Sequence, residues 1–233
     1  MAYSYKLVAD GNSLSTSAPV PAGAGNWTTQ IGPKLWVPAW GTVVVEAVSG
    51  QTTAQMAADQ ATTFAHFDAA KTRTYLTAWE TTNSLFFSTA EATAKSQMQT
   101  FCSDAKAAGF TVLLFTVLPR GGVSPPPGTF ETARTNINTA WRTDFSVATY
   151  DSRIRRPGAG ITYADLLVDV AAETRFAVTT DTTYYYDGVH LTSLGYGIVA
   201  DLVRGALAVL TRFGGGTRLA YAGRQGTRRR VAA

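Results

Sequence analysis

The run TVLLFTV, residues 111 to 117, carries five apolar side chains in seven positions, with Val, Leu and Phe predominating. A strand with one face in water alternates polar and apolar residues, whereas a strand covered on both faces reads as a nearly unbroken apolar run. TVVVEAV, 42 to 48, has the same character. Strands buried on both faces belong to parallel sheets, whose neighbours need a crossover of about a dozen or more residues, usually a helix. The segments flanking 111 to 117 supply one on each side. Ala90 to Ala108 precedes it, with Gly109 placed as a capping glycine, and Phe130 to Asp144 follows it.

Working outward, YKLVA (5 to 9), TYLTAW (74 to 79) and ADLLVDV (164 to 170) also read as strands, and Thr52 to Phe67 as a further helix. The last helix carries Leu194, Ile198 and Leu202 on one row and Val199, Val203, Leu207 and Leu210 on the next, an apolar stripe at helical spacing that points to core packing. Strands alternating with helices predict an α/β fold, a three-layer α/β/α sandwich around a mainly parallel five-stranded sheet. Two loops rich in Pro and Gly, GGVSPPPG (121 to 128) and RRPGAG (155 to 160), follow strand-like runs and are expected at the carboxyl edge of that sheet.

With 233 residues, 45% of them apolar and 15% charged, the chain has a globular composition and the length for one domain, residues 1 to 212. The net charge of +4 is a local property. Residues 213 to 233 hold Arg218, Arg224, Arg228, Arg229 and Arg230 and no acid, so the remainder stands at −1. This Gly- and Arg-rich segment reads as a tail, and nucleic acid is not an expected partner of the folded body. Cys102 is the sole cysteine, which excludes an intrachain disulfide, and with two histidines the chain is too poor for a zinc site of the usual kind. No cofactor and no metal are expected. No basic region followed by a long apolar run opens the chain, and no apolar run of about 18 residues is apparent. The expectation is a soluble protein that makes no membrane contact, cytoplasmic or virion-associated rather than Sec-exported.

In an open parallel sheet ligands bind beyond the carboxyl ends of the strands, so the residues just after each strand matter most. These are DGNSLS (10 to 15), SGQTT (49 to 53) and ETTNS (80 to 84), with DGVHL (187 to 191) near the end of the chain. Together they offer a serine on a tight turn, a glycine amide, an asparagine amide, and an Asp with a His three residues on. Acyl transfer needs that set: a hydroxyl made nucleophilic by an imidazole, a carboxylate to orient the imidazole, and donors for the tetrahedral oxyanion. Taken singly, each block has a structural reading as a turn, a helix cap or a capping acid.

The four blocks, in this order and spread over Lys6 to about Leu210, resemble the SGNH hydrolases, also called the GDSL esterases and lipases. The resemblance implies a flavodoxin-like sheet order, Ser13 as nucleophile, His190 as general base and Asp187 as its acid partner. It also implies Gly50, Asn83 and the N–H of Ser13 as oxyanion donors. DGVHLTSLGY matches the family pattern most closely. The chain departs from it at Asn12, where Asp is usual, at Thr81, where Gly is usual, and at Ser84, where Asp is usual. An amide at 12 still hydrogen-bonds the turn, so the turn is expected to form. The function implied is a serine esterase acting on small-molecule or glycan esters, with acetylated carbohydrate as a substrate class. The alternative is a glycan-binding or structural module, for instance in a viral particle, that keeps the fold without turnover. His66 lies outside the blocks and reads as a surface or packing residue. Trp27, Trp36 and Trp40 read as core or as the walls of a pocket.

Overall fold

The computed structural model describes residues 4–16, 25–35, 40–122 and 126–213. The Arg-rich segment beyond Phe213, Trp36 and the middle of the 121 to 128 loop lie outside them.

The chain runs β1 (Tyr5–Gly11), α1 (Trp27–Lys34), β2 (Trp40–Val45), α2 (Thr53–Ala58), α3 (Gln60–Phe64), β3 (Arg73–Trp79), α4 (Thr82–Phe86), α5 (Glu91–Ala107), β4 (Thr111–Phe115) and α6 (Phe130–Asp144). There follow β5 (Val147–Ala148), β6 (Ile154–Arg156), β7 (Leu166–Val168), two short 3₁₀ turns and α7 (Ser193–Phe213). The sheet order is β2-β1-β3-β4-β7-β6-β5. The first five strands in that row are parallel, as expected. The five-stranded expectation is short by two: β6 pairs antiparallel with β7, and β5 with β6, which extends one edge.

Alternation along each strand divides the core between two faces. Leu7, Ala9, Tyr75, Trp79, Leu113 and Phe115 face α1 and α7. Val8, Leu76, Ala78, Val112 and Leu114 face α2, α5 and α6. Both faces being covered accounts for the unbroken apolar runs. Trp27 is fully buried on α1, its ring centroid 6.1 Å from that of Phe115, so its role is core.

Ile198, Val199, Leu202, Val203 and Leu207 of α7 are buried as the stripe predicts, but Leu194 is 56% exposed. Residues Ser193–Thr211 also have the length and mean hydropathy, 1.5, of a membrane span, contrary to the expectation that no segment does. In this fold the stripe on that helix is spent on the sheet and on α1. Gly109 follows the α5 cap at φ +103, where a Cβ would meet the Phe67 ring at 2.6 Å. The expected single helix over 52 to 67 is broken at Asp59 into α2 and α3.

The RRPGAG loop is the other correction. Its first two residues belong to β6, and because β6 runs opposite to β7, the rest lies at the amino edge, where the Gly158 N–H donates to the Asp144 carbonyl at the end of α6.

Candidate active site

In this strand order β1 lies between β2 and β3, the chain having gone first to one side and then to the other. That reversal opens a crevice at the carboxyl edge, where doubly wound sheets bind ligands. The loops after β1, β2 and β3 are joined there. The Val48 N–H donates to the Gly11 carbonyl at 3.1 Å, and the Asn12 N–H to the Trp79 carbonyl at 3.3 Å. Gly11 is required at the end of β1: it adopts φ +144, and a Cβ would stand 2.2 Å from the Trp79 carbonyl oxygen. Asn12 then accepts from the Leu14 N–H through Oδ1 at 2.9 Å, an Asx turn, so the turn forms with the amide as it would with a carboxylate.

That turn presents Ser13, 7% exposed, with its Oγ 2.8 Å from Nε2 of His190. Nδ1 of the same ring is 2.7 Å from Oδ2 of Asp187. Asp187 and His190 stand on a narrow hairpin. Tyr185 bridges Leu191 across it, and the Tyr186 N–H donates to the His190 carbonyl at 2.7 Å. Asp187 Oδ1 accepts from the N–H groups of Val189 and His190 at 2.9 and 2.7 Å, which ties the carboxylate to its own loop. Burial pushes the Asp187 carboxyl up, but the His190 backbone N–H, its ring and the Val189 N–H together outweigh this and hold it below the usual range. An ionised Asp187 fixes Nδ1 as the protonated nitrogen, leaving Nε2 with its lone pair toward Ser13.

The hairpin is clasped by the loop after β4. The Gly121 N–H donates to the Gly188 carbonyl at 2.8 Å. A Cβ on Gly122, which has φ +84, would lie 1.8 Å from the Asp187 carbonyl oxygen, so only glycine permits this approach.

Gly50 sits at φ +81 on an exposed turn where a Cβ would meet nothing within 4 Å. Neither its N–H nor that of Ser13 donates to any described residue, so both are free to bind an oxyanion. Asn83 donates one Nδ2 hydrogen to the Gln51 carbonyl at 3.0 Å and retains the other. Its backbone N–H, with the N–H of Ser84, donates to the buried carboxylate of Glu80 at 2.8 and 3.2 Å. The Ser84 hydroxyl meets the same carboxylate at 2.9 Å. The segment that departs from the family pattern at Ser84 is therefore braced by a carboxylate at 80. Burial raises the pKa of Glu80, and these donors draw it partly back.

Arg120, just past the exit of β4, was not among the residues singled out from the sequence. Its Nη1 donates to Asn83 Oδ1 at 3.3 Å, and its guanidinium lies 3.7 Å from the Phe86 ring centroid. His66 makes a 2.7 Å contact with Glu46, which agrees with a surface or packing role. A cavity of about 470 Å³ lies between α4 and the first turns of α5 and α6, lined in part by Leu85, Ser88, Thr89, Glu91, Thr129 and Thr132.

No protein-family model matches the sequence, and no curated protein matches it. Solved structures do. A lipolytic protein of the G-D-S-L family from Veillonella parvula aligns at TM-score 0.63 and 14% identity, over 90% of this chain and 100% of that one. The psychrotrophic esterase EstA from Pseudoalteromonas, in a structure inhibited by monoethylphosphonate, aligns at 0.62 and 11%, over 89% and 98%. An acetyl xylan esterase aligns at 0.62 and 14%, over 87% and 99%. At such identities the likeness is one of fold: the chain has the α/β architecture of these hydrolases.

Proposed function

We propose that the protein is a serine esterase that hydrolyses carboxylic esters. The observation that carries this reading is the continuous hydrogen-bonded row from Ser13 Oγ through His190 to Asp187, at 2.8 and 2.7 Å. Ser13 attacks the ester carbonyl while Nε2 of His190 takes its proton, and the tetrahedral oxyanion is received by the N–H groups of Ser13 and Gly50 and by the Asn83 amide. His190 then gives the proton to the leaving alcohol, and water attacks the acyl-enzyme by the same route. Asp187 stays ionised throughout and steadies the imidazolium.

Acetylated carbohydrate is the substrate class that we favour. Its support is the likeness in fold to an acetyl xylan esterase. The test is hydrolysis of p-nitrophenyl acetate and release of acetate from acetylated xylan, by wild type and Ser13→Ala. Loss of both activities in the variant supports the reading. Equal rates above background remove Ser13 from the reaction, and a wild type that turns over neither substrate leaves a module that keeps the fold without turnover.

A further inference from the structure

Arg120 is a charge placed beside the site without an ion-pair partner among the described residues. Three other arginines meet carboxylates closely: Arg134 meets Glu131 at 2.8 Å, Arg142 meets Asp169 at 2.7 Å and Arg175 meets Glu173 at 2.7 Å. Arg120 has no carboxylate within 4 Å among the described residues, although it is half-buried. Of its N–H groups one is used on Asn83 Oδ1, the Nε–H is buried without a partner, and Nη2 makes no hydrogen bond to a described residue. The opposing charge that acts on it is Asp187, whose carboxylate is already occupied by His190. Removing a guanidinium from water without a counter-charge is costly, and stacking on Phe86 offsets only part of that cost.

Two contacts fix where this charge stands. The bond to Asn83 puts it beside a candidate oxyanion donor, and the Phe86 ring holds the guanidinium plane on α4. The donors still open at the end of that fork, those of Nη2 and the second hydrogen of Nη1, match a carboxylate, which they can take in two parallel hydrogen bonds.

We propose that Arg120 makes this site selective for esters that carry a carboxylate near the scissile bond, so that an acetylated sugar acid is preferred over a neutral sugar. The inference rests on the esterase reading above. The carboxylate of the substrate supplies the partner that the fold withholds from Arg120. It does so without entering the chemical step, in which Ser13, His190 and Asp187 act as already described.

The experiment compares 3- and 4-acetoxybenzoate with the matching neutral acetoxybenzamides, using wild type, Arg120→Gln and Arg120→Lys. The ratio of kcat/KM between acid and amide is the readout, so any general loss through Asn83 cancels. Wild type should favour an acid by about tenfold, as one charge-assisted pair at a half-buried site provides, and the preference should shrink as salt is added. Arg120→Gln should bring the ratio to about one, and Arg120→Lys should keep part of the preference. A wild-type ratio near one overturns the inference while leaving the esterase reading intact. So does an equal fall for acid and amide in Arg120→Gln, which would make Arg120 a positioning residue for Asn83 alone. Absence of wild-type turnover of all four esters overturns the esterase reading and this inference together.

Discussion

Thr81 occupies a position that its own side chain opposes, and replacing it with glycine should stabilise the protein. Its φ is +83, in the left-handed region that a β-branched residue rarely enters. It is fully buried, and its hydroxyl has no hydrogen-bond partner among the described residues. Strain of this kind costs about 1–3 kcal/mol, and an orphaned buried hydroxyl about 1–3 kcal/mol more. Glycine relieves both. Against this, glycine gives up about 1 kcal/mol to unfolded-chain entropy and about 1 kcal/mol for the buried methyl. Strain and the hydroxyl therefore prevail, and Thr81→Gly should gain up to about 4 kcal/mol, or roughly 2–4 °C in Tm per kcal/mol for a chain of this size. Thr81→Ala, which removes the hydroxyl but keeps the strained φ, should fall between Gly and Thr. The assay is urea unfolding followed by circular dichroism, with m-values compared to exclude a change in the unfolded state. A glycine variant less stable than wild type, or less stable than the alanine variant, would refute the argument.

Asp10 is buried, and desolvation raises its pKa from 3.8 to about 6 despite hydrogen bonds from Thr63 and the Gly11 N–H. The folded state therefore holds this proton more tightly than the unfolded chain. The contribution is fully present below about pH 4 and lost as pH rises through about 6, after which the buried charge costs about 3 kcal/mol. Asp10→Asn should match wild type in urea near pH 4 and exceed its stability by up to about 3 kcal/mol at pH 8; a pH-independent difference would contradict this. Asp187→Asn should lower kcat by on the order of 10³–10⁴ with little change in Tm, because the imidazole loses the partner that fixes its tautomer; a loss below tenfold in steady-state hydrolysis would count against that role. Gly122→Ala should displace the Asp187 loop and lower kcat by about 10²-fold, with the far-ultraviolet spectrum unchanged; full activity would show that the loops are not tightly clasped.

The parallel sheet was legible because β1, β3 and β4 are covered on both faces, and their composition reflects that. β5 and β6 were not, for a physical reason. They are two and three residues long, Val147 and Ala148 are exposed on the edge strand, and β6 carries Arg155 and Arg156 beside a single buried residue, Ile154, so neither leaves an apolar run. α1 was missed because WTTQIGPK contains both Gly and Pro. It is held by the burial of Trp27 and Ile31 and by Asn26, whose side chain accepts from the Thr28 N–H. At the site, Ser13, Gly50, Asn83, Asp187 and His190 were legible because their chemistry is carried by residue type within short blocks. Arg120 was not, because what distinguishes it is a contact made across 37 positions of sequence and the lack of a carboxylate nearby. Neither leaves a local trace.

The central claim is that His190 turns the hydroxyl of Ser13 into a nucleophile, and covalent trapping tests it most directly. The protein is treated with a fluorophosphonate at neutral pH, and the adduct is weighed intact and located by peptide mass. One adduct per chain on the peptide bearing Ser13, abolished in Ser13→Ala and slowed at least about 10³-fold in His190→Ala, is the result expected. An unmodified Ser13, or labelling at the same rate without His190, would contradict the account.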